Sequence, residues 1–392
     1  MTVLNELKTL SKMPCEGTVL LRVDLNVPIK EGSILDDSKI RACLPTIEFL
    51  QAKCKDTKIV ILSHLGRPDG SDDKLSLKPV QERLSELLER EVLFCKESIG
   101  PEPKYLIHQA KPGSIILLEN LRFYPEEKKG DYNFAKQLSE LGDVYINDAF
   151  AVSHRNDASI AVLPELFPKL SFAGFLLDKE ILLLTRTFKK PEAPFVAIIG
   201  GSKLSSKLPL IESLLEKAET VIIGGLMAYT FLKARGEEVA DTLVEEEFLD
   251  QARKIYLSRD GKKIVLPVDQ VCKNSLGEVS EVGFPMPEGT IACDIGSNSV
   301  ELFKKILSTS KTVLWNGPLG IFEEPPFGEG SRALIQFLDG LKATKIAGGG
   351  DTLHMVETLA GKHAFSWLST GGGAMVEFIT HMDLPSLRWL SE

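Results

Sequence analysis

Chemistry-bearing side chains stand directly after short apolar runs of the kind that form parallel strands. Asp24, Leu25 and Asn26 follow TVLLRV (18–23), and His64, Leu65, Gly66 and Arg67 follow KIVILS (58–63). Arg122 comes shortly after SIILLE (114–119). Asp148 follows DVYIN (143–147), with His154 and Arg155 a few residues on. Ligands of open parallel sheets bind just beyond the carboxyl ends of the strands, so this pattern gathers His64, Arg67, Arg122 and Arg155 on one edge. Each guanidinium offers a planar fork to phosphate or carboxylate. That edge suits a small, multiply charged anion.

The second half carries different chemistry at the same kind of position. Gly201 and Lys203 follow FVAIIG (195–200), with Lys207 one turn further on; Gly225 follows TVIIG (220–224). Asn316 follows TVLW (312–315), and glycine triplets occur at 348–350 and 371–373, the first leading into Asp351 and Thr352. Glycines at strand-to-helix junctions let backbone N–H groups approach a phosphate at a helix N-terminus. Asp351 suits either Mg²⁺ held alongside a nucleotide or the N-cap of the next helix. No GxxxxGK[ST] occurs and no GxGxxG follows a strand, which disfavours a P-loop kinase and a nicotinamide-dependent dehydrogenase.

The elements that must position these residues alternate between apolar runs and amphipathic stretches such as 80–92 and 245–257, as in parallel sheets covered by helices. The run SFAGFLLDKEILLLTRTFKKP reads as one helix over 171–190, apolar nearly all round and therefore packed between two bodies. The expected fold is α/β: two doubly wound, Rossmann-like parallel-sheet domains joined by that central helix, bilobal with a cleft. The domains fall at 1–170 and 191–373, with a tail over 374–392. A length of 392 residues fits two domains. A net charge of −9 argues against a protein that coats nucleic acid or anionic membrane. The six cysteines (Cys15, Cys43, Cys54, Cys95, Cys272, Cys293) lack any metal-binding spacing and read as free thiols in a reducing compartment. The N-terminal stretch lacks the apolar core of a signal peptide and no run is long enough to span a bilayer, so a cytoplasmic location is expected. The charged run EEKKGD (126–131) reads as a solvated loop.

Taken together, RVDLNVP (22–28), SHLGRPDG (63–70), LLENLRF (117–123), NDAF (147–150), IIGGSK (198–203), LWNGPLGIFE (314–323), AGGGDT (347–352) and STGGGA (369–374) resemble the phosphoglycerate kinase family along the whole chain. The resemblance implies that Asp24, Asn26, His64, Arg67, Arg122 and Arg155, with Leu25, Leu65 and Gly66 between them, bind phosphoglycerate. It implies that Lys203 and Lys207 face the nucleotide phosphates, that Lys203 follows the transferred group, and that Glu323 accepts the ribose hydroxyls. Gly201, Gly225 and Asn316 complete the nucleotide site. Gly349, Gly350, Asp351 and Thr352 match the phosphate and Mg²⁺ loop, and Gly371 to Gly373, Gly372 among them, match a helix N-terminus that neutralises transition-state charge. The tail is expected to pack back on the N-terminal domain, and the family's usual state is monomeric.

This chain departs from the family pattern in three places. Where the family has an arginine that touches the phosphoryl group in flight, the segment GSILDDSKIRA has Lys39. Lysine keeps the charge but loses the planar fork, so slower turnover is expected. Asp157 stands where histidine is usual beside the anion, and Leu226 replaces a glycine before the nucleotide pocket. The expected activity is reversible, Mg²⁺-dependent phosphoryl transfer between 1,3-bisphosphoglycerate and ADP. The alternative is a protein of the same fold that binds phosphoglycerate or nucleotide with weak catalysis.

Overall fold

The computed structural model describes residues 7–359 and 362–391; the first six residues of the N-terminal stretch and Glu392 of the tail lie outside them. The chain divides into two compact units. The first runs to Leu183 and resumes at His381, and the second spans Leu184–Thr380.

Six parallel strands form the sheet of the first unit: β1 Thr18–Arg22, β2 Lys58–Leu62, β3 Val92–Cys95, β4 Ile115–Leu118, β5 Val144–Asn147 and β6 Ser171–Ala173, in the order β3-β4-β2-β1-β5-β6. Both faces are buried, which is why these strands read as unbroken apolar runs. Val19, Leu21, Ile59, Ile61, Ile115 and Leu117 face a core shared with Ile40, Ile47 and Leu50 of the helix Ser38–Lys53. Leu20, Val60, Ile116 and Tyr145 are as deeply buried on the other face.

The second unit repeats the design with β7 Phe195–Ile199, β8 Thr220–Ile223, β9 Ile264–Val265, β10 Thr312–Asn316, β11 Thr344–Gly348 and β12 Trp367–Ser369, all parallel, in the order β9-β8-β7-β10-β11-β12. Strand order reverses between β1 and β5 in one unit and between β7 and β10 in the other. Those are the switch points where open sheets bind ligands.

Several elements differ from the sequence reading. Residues 171–190 are not one helix: Ser171–Ala173 pair with β5, and the helix runs Phe175–Lys189. Gly174 marks the break, because a Cβ there would sit 2.3 Å from the Asp148 carboxylate. The helix expected over 80–92 spans Lys78–Leu87 and stops before Glu89, which takes a left-handed φ of 51°. An antiparallel sheet of Gln270–Asn274, Val279–Val282 and Thr290–Ile295 was not anticipated. Cys15 and Cys54 are not free thiols but form a disulfide. Cys54 caps the helix Ser38–Lys53, which returns beside the lead into β1, so tertiary structure rather than spacing brings the two together. Cys43, Cys95, Cys272 and Cys293 are free and buried.

The chain end belongs to the first unit: Leu390 O accepts from Lys8 N at 2.7 Å and Ser153 O from Ser386 N at 3.3 Å. No helix among the described residues is long and apolar enough to cross a membrane.

Candidate active site

In the first unit the loops beyond β1, β2 and β4 are tied together by their own polar groups. Leu25 N donates to Ser63 Oγ at 2.9 Å, Gly66 N to Asn26 Oδ1 at 2.8 Å, and Leu65 N to Asn120 Oδ1 at 3.0 Å. Leu25 and Leu65 therefore frame the site, with their side chains in the core. Asp24 accepts from Asn26 N at 3.0 Å and from Lys39 Nζ at 2.9 Å. Lys39 stands in the first turn of the helix Ser38–Lys53, which aims it at the strand end.

His64 is buried. Burial, with Arg22, Arg122 and Lys39 around it, holds its imidazole well below the usual value. It is therefore neutral near pH 7. Arg22 NH2 donates to its Nδ1 at 3.2 Å, which leaves the proton on Nε2, 3.9 Å from Asp24 Oδ1. His64 thus presents a hydrogen-bond donor to the site.

Arg122 is 3 % exposed. Its NH1 donates to Gly66 O at 2.6 Å, which fixes the guanidinium plane, while Nε and NH2 have no hydrogen-bond partner among the described residues. Buried donors are rarely left unmatched, so this free edge is the feature of the unit that most directly calls for an anion. Arg155 lies on the same edge, and Arg67 is exposed in the loop after β2.

Beneath this layer lies a network that sequence reasoning missed. Arg22 is fully buried; its Nε donates to Ser159 Oγ at 2.8 Å and NH1 donates to Val23 O. Glu127, which the sequence placed in a solvated loop, is instead fully buried in the short helix Pro125–Lys129. It accepts from Ser159 N at 3.0 Å and lies 4.0 Å from Arg22 NH2. A charge run gives no sign that one of its members faces a buried arginine. The only available signal was an arginine ending the apolar run of β1.

In the second unit the loops after β7 and β8 both touch the loop after β10 backbone to backbone at the switch point. Gly201 N donates to Pro318 O at 2.9 Å, and Gly225 N to Leu319 O at 3.1 Å. A Cβ on Gly225 (φ 65°) would fall 2.5 Å from Gly201 O, so only glycine permits this approach. One cavity of about 270 Å³ opens here, lined by Gly201, Leu226, Tyr229, Asp294, Phe322 and Glu323 among others. A second of about 260 Å³ is lined by Lys207, Asn316, Gly349, Gly350, Thr352 and Gly372. Both reach Asp351, which is exposed in the first turn of the helix Gly350–Leu359 rather than at its N-cap. Tyr229, Asp294 and Phe322 were not foreseen; Asp294 comes from the unanticipated antiparallel sheet.

The floor of the second cavity is cross-linked. Lys207 Nζ donates to Asn316 Oδ1, Asn316 Nδ2 to Gly348 O at 2.6 Å, and Gly317 N to Thr352 Oγ1 at 2.8 Å. Burial lowers the Lys207 pKa, opposed by Asp351. Lys203 is exposed in the loop after β7 and lines neither cavity. The first cavity is broad and partly apolar, as a base and ribose require. The second is built from glycine N–H groups and a lysine, as phosphates require.

Comparison with known proteins identifies the family. A family model described as phosphoglycerate kinase matches residues 12–381. Phosphoglycerate kinase of Borreliella burgdorferi (strain ZS7) is 45% identical over 379 residues, covering 95% of each chain. That of Aquifex aeolicus is 43% identical over 388 residues, covering 97% of each. The solved structure of phosphoglycerate kinase from Coxiella burnetii superposes with a TM-score of 0.87 at 35% identity, covering 98% of both chains. The chain therefore belongs to the phosphoglycerate kinase family, enzymes that transfer phosphoryl groups.

Proposed function

We propose that this protein catalyses reversible phosphoryl transfer between 1,3-bisphosphoglycerate and ADP, giving 3-phosphoglycerate and ATP. The first unit binds the phosphoglycerate and the second the nucleotide. The observation that carries this reading is Arg122, a buried guanidinium with two donors unmatched among the described residues at the end of a parallel strand. Asp24, Asn26, His64, Arg67 and Arg155 surround the same anion. Glu323 meets the ribose, and Lys207 and the loop Gly349–Thr352 meet the phosphates. The helix beginning at Gly372 offers its N–H groups to developing charge.

In the forward direction a β-phosphate oxygen of ADP attacks the acyl phosphate. The new P–O bond forms as the acyl P–O bond breaks, and its electron pair leaves on the carboxylate. Little covalent help is needed; position and charge neutralisation suffice. Attacking oxygen and phosphorus must come within about 3–3.5 Å, so turnover requires the two bound ligands to meet. Lys39 and Lys203 hold the transferred group in flight.

Asp351 fits a magnesium–nucleotide complex: a single exposed carboxylate beside a phosphate cradle is the usual protein share of a Mg²⁺ site whose other ligands are phosphates and water. Bound there, the ion would neutralise phosphate charge. We place the protein in the cytoplasm as a monomer with no nucleic-acid or membrane partner.

The test is ATP-dependent phosphorylation of 3-phosphoglycerate, coupled to glyceraldehyde-3-phosphate dehydrogenase and followed by NADH loss with Mg²⁺ in excess. Turnover of about 10 s⁻¹ or more, a median enzyme rate, is expected. A second reading, binding with weak catalysis, is favoured by the engagement of Lys39 with Asp24. Background turnover by protein that still binds ADP would select it.

A further inference from the structure

Asp157 stands 5 % exposed against the anion edge, with Oδ2 3.7 Å from Arg122 NH2 and 3.9 Å from Arg155 Nε. Neither distance is a hydrogen bond. Both are too short for a water in line between the atoms. Asp157 Oδ2 has no hydrogen-bond partner among the described residues, and neither have Arg122 Nε and NH2, the two donors that form the fork's free edge. A carboxylate paired with arginine for stability alone closes to about 2.7–2.9 Å, often on both donors. Here a carboxylate faces a fork and does not take it.

We propose that Asp157 limits substrate affinity: it is an internal carboxylate that competes with phosphoglycerate for the Arg122 and Arg155 guanidiniums and must be outbid or displaced when the substrate binds. The inference rests on the first unit being the phosphoglycerate site. Around Arg122 the charged groups are Arg22, Arg155, Glu127 and Asp157. Glu127 is already held by Ser159 and lies beside Arg22, and Asp24 is engaged by Lys39, so Asp157 is the acid left facing Arg122 to oppose an incoming anion. Its backbone is pinned, because Asp157 O accepts from Ile160 N at 3.0 Å and Ala161 N at 2.9 Å. Only the side chain has to move.

The experiment is calorimetric binding of 3-phosphoglycerate, without nucleotide, to the wild type, Asp157→Asn and Asp157→Glu. ADP affinity and the thermal midpoint serve as controls for folding. Asp157→Asn keeps the shape and removes the charge; its Kd should tighten about tenfold, equivalent to about 1.4 kcal/mol. Asp157→Glu reaches further and closes the pair, so its Kd should weaken several-fold. Inorganic phosphate, a smaller anion, should follow the same order. An unchanged or weaker Kd for a folded Asp157→Asn protein overturns the inference, as does an Asp157→Glu protein that binds as well as wild type. Absence of 3-phosphoglycerate binding by all three proteins would remove the site reading itself, and this inference with it.

Discussion

Lys39 Nζ lies 2.9 Å from Asp24 Oδ2, with the lysine side chain about one-third exposed and the carboxylate almost fully buried. An ammonium is a point charge, whereas a guanidinium can donate to Asp24 from one edge and clamp two phosphoryl oxygens with another. Arginines that meet the transferred group in other phosphoryl-transfer enzymes contribute roughly 10³–10⁵ in rate, and lysine retains part of this. Lys39→Arg is therefore expected to raise kcat about tenfold, and Lys39→Met to lower it by about 10² or more, in the coupled assay. A Lys39→Arg enzyme slower than wild type would mean that Asp24 and lysine are matched as a pair.

Glu127 tests the buried layer. Removing one member of a buried ion pair strands the other and costs about 3–5 kcal/mol. Glu127→Ala leaves buried Arg22, linked to that carboxylate through Ser159 Oγ, without its counter-charge and Ser159 N without its acceptor, so urea unfolding should show a loss of that order. Since Arg22 also orients His64, the same variant should raise the KM for 3-phosphoglycerate. A loss below about 0.5 kcal/mol, the scale of an ordinary surface change, would show that Glu127 does not hold Arg22.

These two residues also show what the sequence could and could not tell. The strand-end rule placed Asp24, Asn26, His64 and Arg122 together because parallel strands are apolar on both faces and their carboxyl ends share one edge. Lys39 became a candidate only through resemblance, since the start of a helix carries no such rule. Glu127 was misplaced because a run of charges looks solvated until its distant partner, Arg22, is known. Cys15 and Cys54 were likewise separated in sequence and joined only by the return of one helix. The antiparallel strands that carry Asp294 to the first cavity are short and clear only once paired.

Asp148 gives a pH dependence with a definite sign. Its Oδ1 accepts from Leu176 N at 2.8 Å and Leu177 N at 3.1 Å, anchoring the first turn of the helix Phe175–Lys189. Burial nevertheless pushes its carboxyl up from 3.8 to about 6. The folded state thus binds the proton more tightly than the unfolded one. The associated stability is fully present below pH 3.8 and is lost as pH rises through about 6. Asp148→Asn removes the titration. Between pH 4 and pH 7 the wild type should therefore lose on the order of 3 kcal/mol relative to this variant in paired urea titrations. Parallel curves for the two proteins would show that Asp148 does not titrate in this range.

Gly349 tests the phosphate loop and the independence of the two sites at once. Its φ of 118° lies where side chains are strained, and an added Cβ would come within 2.9 Å of both Asn316 Nδ2 and Thr352 Oγ1. Those two atoms hold Gly348 O and Gly317 N, so a shift in either opens the cross-links beneath the second cavity. Gly349→Ala should weaken ADP binding at least about tenfold, or about 1.4 kcal/mol. Its Kd for 3-phosphoglycerate should stay at the wild-type value, because every proposed ligand of that anion lies in the other unit. Loss of both affinities with an unchanged thermal midpoint would contradict the assignment of one ligand to each unit. Loss of ADP alone would place the nucleotide phosphates against Gly349, where the glycine, the lysine and the exposed Asp351 converge.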